Sequence, residues 1–472
     1  MEGQDILKSE ISSNPLVIKQ TARYQAMESL VSIYHHQHYI HQEVNKALTQ
    51  RQLPEKERDL YTRLVYGSSQ YHFTLMTVLK VLISKPNRCK AWVIELLILS
   101  AYQFYYLDAI PAHALVNEAV KIAKKRGNSF LARFVNGVLR EMMRRFEDIS
   151  SFIDSQEVER EEKLALEASL PVQWVNYFEK RFGWEKMVEL AQSLKSPAQV
   201  TVRFSRKTLE NKELCLRLAQ QQGLVLQQSP INPHSYRVEK GNPLQTALFK
   251  EGKLTIQDEA AALAVDLLHP KEGQRVLDAC SAPGGKTVQL AEYVGKNGQV
   301  VANELVANKL NRIQENLERM QVSDRVQVVN HDARDLPTVY EEESFDAILV
   351  DAPCSGLGLF RRKPDTKERK KIEDLKELQV LQLEILQKVS PLLKQGGKLL
   401  YSTCTISGEE NEEVVQQFLE SHQDFALVPL TSWAKPLEEA LQTNGTLQIL
   451  PHYFMSDGFF IALFEKTDGR KK

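Results

Sequence analysis

The stretch Val276-Leu277-Asp278-Ala279-Cys280-Ser281-Ala282-Pro283-Gly284-Gly285-Lys286-Thr287 decides the fold. Its apolar start reads as a strand, and Pro283-Gly284-Gly285 reads as a turn that opens a helix. Glycines let the backbone come close to a ligand, and a helix N-terminus offers it unpaired N–H groups. The spacing is neither GxxxxGK[ST] nor GxGxxG, so this is neither a P-loop nor a dinucleotide fingerprint. A plain structural turn would carry the same residues, so the strands that follow must decide.

Working outward, apolar runs rich in Val, Ile and Leu recur at 275–280, 299–304, 326–332, 345–350 and 397–403. Amphipathic stretches separate them, notably 305–320 and 370–393. Continuous apolar strands alternating with helices predict a parallel, doubly wound α/β sheet over residues 251–472. Such sheets bind ligands at the carboxyl ends of their strands. Upstream, residues 1–146 show helical periodicity with little strand signal and predict an all-α domain. Within it, 91–107 is apolar but interrupted by Glu95 and Gln103, so it reads as a buried helix rather than a membrane span. Acidic residues 147–165 read as a linker with room for some helix, and 166–250 as a small α+β subdomain whose first helix, opened by Pro171, holds Trp174 and Phe178.

Composition agrees with a multidomain globular chain. The sequence has 472 residues, of which 43 % are hydrophobic and 26 % charged, which excludes a disordered or collagenous chain. Residues 1–150 hold 20 Lys+Arg against 14 Asp+Glu, while the remainder is acidic. A basic first third suits phosphate contacts, although a solvated helical surface has the same composition. Five cysteines with no CxxC argue against a disulfide framework, and their odd number suits a reducing cytoplasm. Met1 to Glu10 carries four charges and no apolar core, unlike a secretory signal.

The chemistry lies at the strand ends. Glu304 closes the second strand, 19 residues after Gly285, where an acid can accept both hydroxyls of a ribose. Asp332 closes the third and could accept from the amino group of an adenine. Gly-Gly, Glu and Asp at three consecutive strand ends resemble S-adenosylmethionine-dependent methyltransferases. Asp351-Ala352-Pro353-Cys354-Ser355-Gly356 follows the fourth strand, and Ser402-Thr403-Cys404-Thr405 the fifth. Two thiols thus face one crevice. A thiolate adding to carbon 6 of a pyrimidine makes carbon 5 nucleophilic toward a sulfonium methyl, which is covalent catalysis. An acid at ring nitrogen 3, a place Asp351 suits, would take up the charge that develops. Cys89, Cys215 and Cys280 read as structural.

With these motifs in hand, the chain resembles the bacterial 16S rRNA cytosine-carbon-5 methyltransferases of the Sun/Fmu (RsmB) type. The match runs through Asp278–Lys286, the Pro353-Cys354 and Thr403-Cys404 pairs, Arg361-Arg362-Lys363-Pro364-Asp365 and Glu409-Glu410-Asn411-Glu412. The segments Ala101-Tyr102-Gln103, Val116-Asn117-Glu118-Ala119-Val120 and Phe134-Val135-Asn136-Gly137-Val138-Leu139-Arg140 resemble a NusB-type RNA-binding domain. The resemblance implies Cys404 as nucleophile, Cys354 in product release and Asp351 in cytosine activation. It implies S-adenosylmethionine contacts from Cys280, Ser281, Ala282, Pro283, Gly284, Gly285, Lys286, Glu304, Asp332 and Asp351. RNA contacts are expected from Arg361, Arg362, Lys363 and Asp365. The expected partner is 16S rRNA, met by a monomer with no membrane and no metal. Asn117 and Asn136 read as buried network residues.

Two departures stand out. Thr366-Lys367-Glu368 replaces the Ile-Lys-Trp that often follows Pro-Asp in the family, and Gly408 stands where the family favours Pro. His35, His36, His38 and His41 form a cluster that no Cys or acidic ligand set accompanies, and read as a helical surface rather than a metal site. A transfer RNA or DNA methyltransferase, and an RNA-binding scaffold with an inactive catalytic domain, remain the rival readings.

Overall fold

A computed structural model describes residues 18–50, 53–107, 110–430 and 437–468. The expectation for Met1 to Glu10 lies outside them. The chain forms two compact units: one runs to Lys195 and takes in Phe360–Arg369, and the other holds Ser196–Leu359 and the chain from Lys370 onward.

The first unit is helical, as the 3.6-residue periodicity predicts. Its helices are α1 (Ala22–His35), α2 (Ile40–Gln50), α3 (Glu55–Gln70), α4 (His72–Leu82), α5 (Ala91–Tyr106), α6 (Ala112–Arg126), α7 (Ser129–Arg145), α8 (Ile149–Asp154), α9 (Arg160–Ala168), α10 (Val172–Phe182) and α11 (Trp184–Ser193). Helix α5 is buried without a break from Val93 to Gln103. It is the apolar axis of the unit, with α1, α3, α4, α6 and α7 against it. Asn128 caps α7 by accepting from the Leu131 amide at 3.0 Å, and α7 then buries Ala132, Val135, Val138, Leu139 and Met142 at helical spacing.

Glu95 sits in α5 with no exposed side-chain surface. Its carboxylate meets His35 Nε2 at 2.9 Å and His72 Nε2 at 3.5 Å. The Tyr34 ring lies flat on His72, with centroids 3.5 Å apart. On its other nitrogen, His72 Nδ1 lies 2.9 Å from Glu368 Oε1. Burial alone would lower the pKa of His72, but Glu368 and Glu95 outweigh it and raise it to about 10.

Several expectations are corrected here. Residues 147–165 are largely helical rather than a linker: Asp148 and Ser151 form a capping box for α8, and Phe152, Ile153 and Leu166 join the helical core. Helices α10 and α11 also belong to this unit, which moves its boundary from 146 to Lys195. Asn117 is exposed, and Asn136 is half-buried and accepts from Arg140 Nε at 3.1 Å, so neither lies in a buried network. The α7 face packed inward is aliphatic and leaves no polar partner for them.

The second unit holds two sheets. In the smaller, β1 (Thr201–Phe204), β2 (Val225–Gln228), β3 (Ser235–Lys240) and β4 (Leu254–Ile256) pair antiparallel in the order β2-β3-β1-β4. Helix α12 (Lys212–Gln221) contributes Cys215 and Ala219 to its core. The edge strand β4 lies beyond residue 250, so the α+β subdomain extends past its predicted end.

The larger sheet contains β5 (Arg275–Asp278), β6 (Gln299–Asn303), β7 (Val326–Val329), β8 (Phe345–Asp351), β9 (Leu393–Thr403), β10 (Phe425–Leu427), β11 (Leu447–Ile449) and β12 (Phe459–Lys466). The order is β10-β12-β9-β8-β5-β6-β7, with β11 paired to β12. Strands β5 to β9 are parallel, as predicted. Strand β12 runs antiparallel between β9 and β10, which makes the sheet mixed. Helices α13 (Glu259–Leu268), α14 (Gly285–Val294) and α15 (Leu310–Arg319) supply one apolar layer, and α16 (Asp374–Val389) and α17 (Glu412–Ser421) the other. This is the doubly wound α/β arrangement, with the strand order changing direction at β5/β8.

Candidate active site

Five parallel strands deliver their carboxyl ends to one edge of the larger sheet. At the first, β5 ends in Asp278, and Gly284 adopts φ +99° before α14 begins. Only glycine takes that conformation without strain, and an added Cβ would meet the Ile313 backbone at 3.2 Å. Asp278 is buried. Its Oδ2 accepts from Thr287 Oγ1 at 2.7 Å, while Oδ1 has no hydrogen-bond partner. Burial, reinforced by the nearby Asp351 charge, raises its pKa to about 7. Cys280 is pushed up by burial and by Asp278, so it stays a thiol.

The second and third strand ends are tied to the first by Asn303. Its backbone oxygen accepts from the Ser281 amide at 2.8 Å, its Nδ2 donates to Ala279 O at 3.0 Å, and its Oδ1 accepts from the His331 amide at 3.0 Å. Glu304 follows, nearly buried, and accepts from the Val306 amide at 2.9 Å and the Ala282 amide at 3.3 Å. Its carboxylate is therefore oriented by backbone on both sides. Asp332 takes Arg334 in a bidentate pair at 2.7 and 3.1 Å, which holds its pKa below the usual carboxylate range.

The fourth and fifth ends carry the thiols. Asp351 closes β8: Lys286 Nζ lies 2.7 Å from Oδ2, and Ser402 Oγ donates to Oδ1 at 2.8 Å. Burial lowers the Lys286 pKa, yet Asp351, with Cys404 as a further contributor, raises it overall. Cys354 Sγ and Cys404 Sγ are 3.2 Å apart. The hydrogen bond to Cys404 and burial raise the Cys354 pKa well above normal. None of the five cysteines is in a disulfide.

The structure thus gathers Cys280 to Lys286, Glu304, Asp332, Asp351, Cys354 and Cys404 at one sheet edge. The basic segment belongs to the helical unit. Phe360–Arg369 packs within the helical unit, where Trp174 Nε1 donates to Lys367 O at 2.9 Å and Lys367 Nζ donates to Gln70 O at 3.0 Å. Arg361 and Asp365 are buried there, which leaves Arg362 and Lys363 the more accessible of the four expected RNA contacts. Where the family often has Trp, Glu368 pairs instead with His72. His35 and His38 each face a carboxylate, Glu95 and Glu43. Sequence reasoning missed Asn303, next to Glu304, because a side chain serving backbone groups leaves no spacing signal; it includes Ser402 in the fifth strand-end motif without giving it the Asp351 bond.

Comparison with known proteins agrees with this architecture. Residues 265–465 match the family model for 16S rRNA methyltransferase RsmB/F, and residues 20–144 match the NusB family. A Bacillus subtilis protein named probable ribosomal RNA small subunit methyltransferase B is 39 % identical over 95 % of this chain and 99 % of its own. A Synechocystis protein of the same name is 30 % identical over 95 % of this chain and 100 % of its own. The crystal structure of PH0851 superposes with a TM-score of 0.79 at 25 % identity, covering 96 % of this chain and 99 % of that one. A match to the NusB family followed by a match to the RsmB/F methyltransferase model, with 39 % and 30 % identity to two relatives over nearly their whole lengths, makes the chain a member of the ribosomal RNA small subunit methyltransferase B family.

Proposed function

We propose that the protein transfers a methyl group from S-adenosylmethionine to carbon 5 of a cytosine in 16S rRNA, through a covalent adduct between that cytosine and Cys404. The observation that carries this reading is the 3.2 Å approach of two thiols from adjacent strand ends, beside the Lys286–Asp351 ion pair. A methyltransferase acting on oxygen or an amino nitrogen needs no thiol; one acting on carbon 5 needs a nucleophile at carbon 6.

The cofactor pocket fits. Asp278 Oδ1 is a buried acceptor with no partner at the mouth of the Gly turn, and α14 presents its first amides there. Glu304 and Asp332 occupy the next two strand ends as acceptors for ribose and adenine. When bound, S-adenosylmethionine supplies an electrophilic methyl group. The chain does the rest. Lys286 favours the thiolate of Cys404 by its charge, and Asp351 with Lys286 offers the proton that ring nitrogen 3 takes up as the sulfur adds. After transfer, a base removes the carbon-5 proton, ring nitrogen 3 returns its proton to the Lys286–Asp351 pair, and the bond from carbon 6 to sulfur breaks to release Cys404 as the thiolate. Cys354, held as a thiol 3.2 Å away, is placed to stabilise the departing thiolate by a hydrogen bond. The base must be unpaired or flipped for a side chain to reach its face. No helix among the described residues is long and apolar enough to cross a membrane.

The test uses purified protein, labelled S-adenosylmethionine and unmethylated 16S rRNA. Wild type should label cytosine, Cys404→Ala should be silent, and Cys354→Ala should accumulate a denaturant-stable protein–RNA adduct. Label on transfer RNA instead would overturn the substrate, and adduct retained by Cys404→Ala would overturn the nucleophile.

A further inference from the structure

We propose that Glu410 is a positioning residue that sets the spacing of the two thiols; its catalytic consequence rests on the two-thiol reading above. Glu410 is fully buried at the start of the turn before α17. Its Oε1 accepts from the Ser355 amide at 2.8 Å and from Gln382 Nε2 at 3.0 Å. Its Oε2 accepts from the Ser355 hydroxyl, from Ser407 Oγ at 2.6 Å and from Thr405 Oγ1 at 3.2 Å. Ser355 is the residue after Cys354, and Thr405 is the residue after Cys404.

One carboxylate therefore grips the chain immediately beyond each thiol. Ser355 Oγ and Thr405 Oγ1 also meet directly at 2.8 Å, which closes the bridge between the two loops. Gln382 reinforces it by donating to Pro353 O at 2.9 Å, just before Cys354. A buried carboxylate is costly unless its lone pairs are met, and here five neutral donors meet them. A packing role alone would be filled by an apolar residue. The convergence of donors from both cysteine loops is what makes Glu410 a clasp. The Glu410 charge also adds to the forces that keep Cys354 protonated.

The test reads thiol spacing directly and needs no RNA. The full chain is equilibrated at pH 6.5 with glutathione and glutathione disulfide. Oxidation joins the two sulfurs, and the two electrons and two protons released reduce one glutathione disulfide to two glutathiones. The ratio at which Cys354 and Cys404 are half joined gives their effective molarity toward each other. Glu410→Gln keeps one acceptor for the Ser355 amide but turns an NH2 donor toward the hydroxyls of Ser355, Thr405 and Ser407, and should lower that effective molarity at least tenfold. Ser407→Ala, which removes one of the five donors, three residues after Cys404 on the same loop, should lower it severalfold. Both should bind S-adenosylmethionine within twofold of wild type. Effective molarities unchanged in folded variants overturn the clasp, and if Glu410→Gln does not fold, Ser407→Ala decides. Failure of the wild type to methylate RNA would sink the proposed function, while the redox equilibrium would still decide on the clasp.

Discussion

Lys286 and Asp351 form an ion pair of 2.7 Å that joins the first turn of α14 to the end of β8. Asp351→Asn would remove the charge that outweighs burial at Lys286. Burial would then be opposed only by the weaker effects of Cys404 and Asp278, and the Lys286 pKa would fall. If the ammonium form is the active one, the residual activity of Asp351→Asn should decline as pH rises from 6 to 9. Turnover should fall by about 10²-fold or more, the usual size of a general acid–base contribution. Steady-state rates across that range check it, and a variant within threefold of wild type with an unaltered profile would remove the pair from the mechanism.

Gly284→Ala tests the cofactor turn. The residue sits at φ +99°, where an L side chain costs ~1–2 kcal/mol, and its Cβ would press on the Ile313 backbone. Displacing the turn should weaken S-adenosylmethionine binding by about tenfold, since ~1.4 kcal/mol is a factor of ten. Calorimetric titration reads it; unchanged affinity would place the cofactor away from this turn.

His72 predicts a pH dependence in the helical unit. Its folded pKa is raised to about 10, so between the ordinary histidine value and 10 the folded protein binds the extra proton. The stabilisation is complete below about pH 6.5 and is lost as pH rises toward about 10. His72→Gln lacks this linkage. Breaking a buried pair costs ~3–5 kcal/mol, so the variant should be markedly less stable at pH 6, and the gap should close toward pH 10. Denaturant unfolding followed by circular dichroism at pH 6, 8 and 10 measures it, and a gap that widens with pH would contradict the charge assignment.

Lys363 is exposed whereas Arg361 is buried. If Lys363 contacts a phosphate, Lys363→Ala should lower the slope of log affinity against log salt by about 1. Arg361→Ala should instead lower the unfolding midpoint. RNA binding from 50 to 300 mM salt separates them, and an unaltered slope for Lys363→Ala would place its ammonium away from the RNA.

The sequence disclosed the catalytic sheet well because parallel strands, buried on both faces, are written as apolar runs punctuated by Gly and Pro. It disclosed the site for the same reason, since Gly284, Glu304, Asp351 and Cys404 all stand at strand ends. The sequence does not announce strand β12: its residues are as apolar as a parallel strand, but only the four-residue helix Pro451–Phe454 precedes it, too short to read as a crossover. The helices at 149–154 and 160–168 were taken for a linker because their acidic faces mask Phe152 and Leu166, which pack inward. The basic run at 361–363 reads as an RNA contact from its charge, its place after the Cys354 motif and the family resemblance, and none of these reveals that Trp174, far away in sequence, secures the backbone at Lys367.

That ten-residue excursion has a consequence for biosynthesis. The helical unit draws Phe360–Arg369 from the middle of the catalytic sequence. On the ribosome, the eleven helices described between Ala22 and Ser193 emerge long before this piece does. Until Glu368 is made, His72 and Glu95 lack one carboxylate of their buried network, and Trp174 lacks its acceptor. The N-terminal unit therefore completes itself only after β5 to β8 have been synthesised, and neither unit can be excised by a single cut. A fragment ending at Lys195 is a truncated unit rather than a domain, so the two halves of this protein mature together.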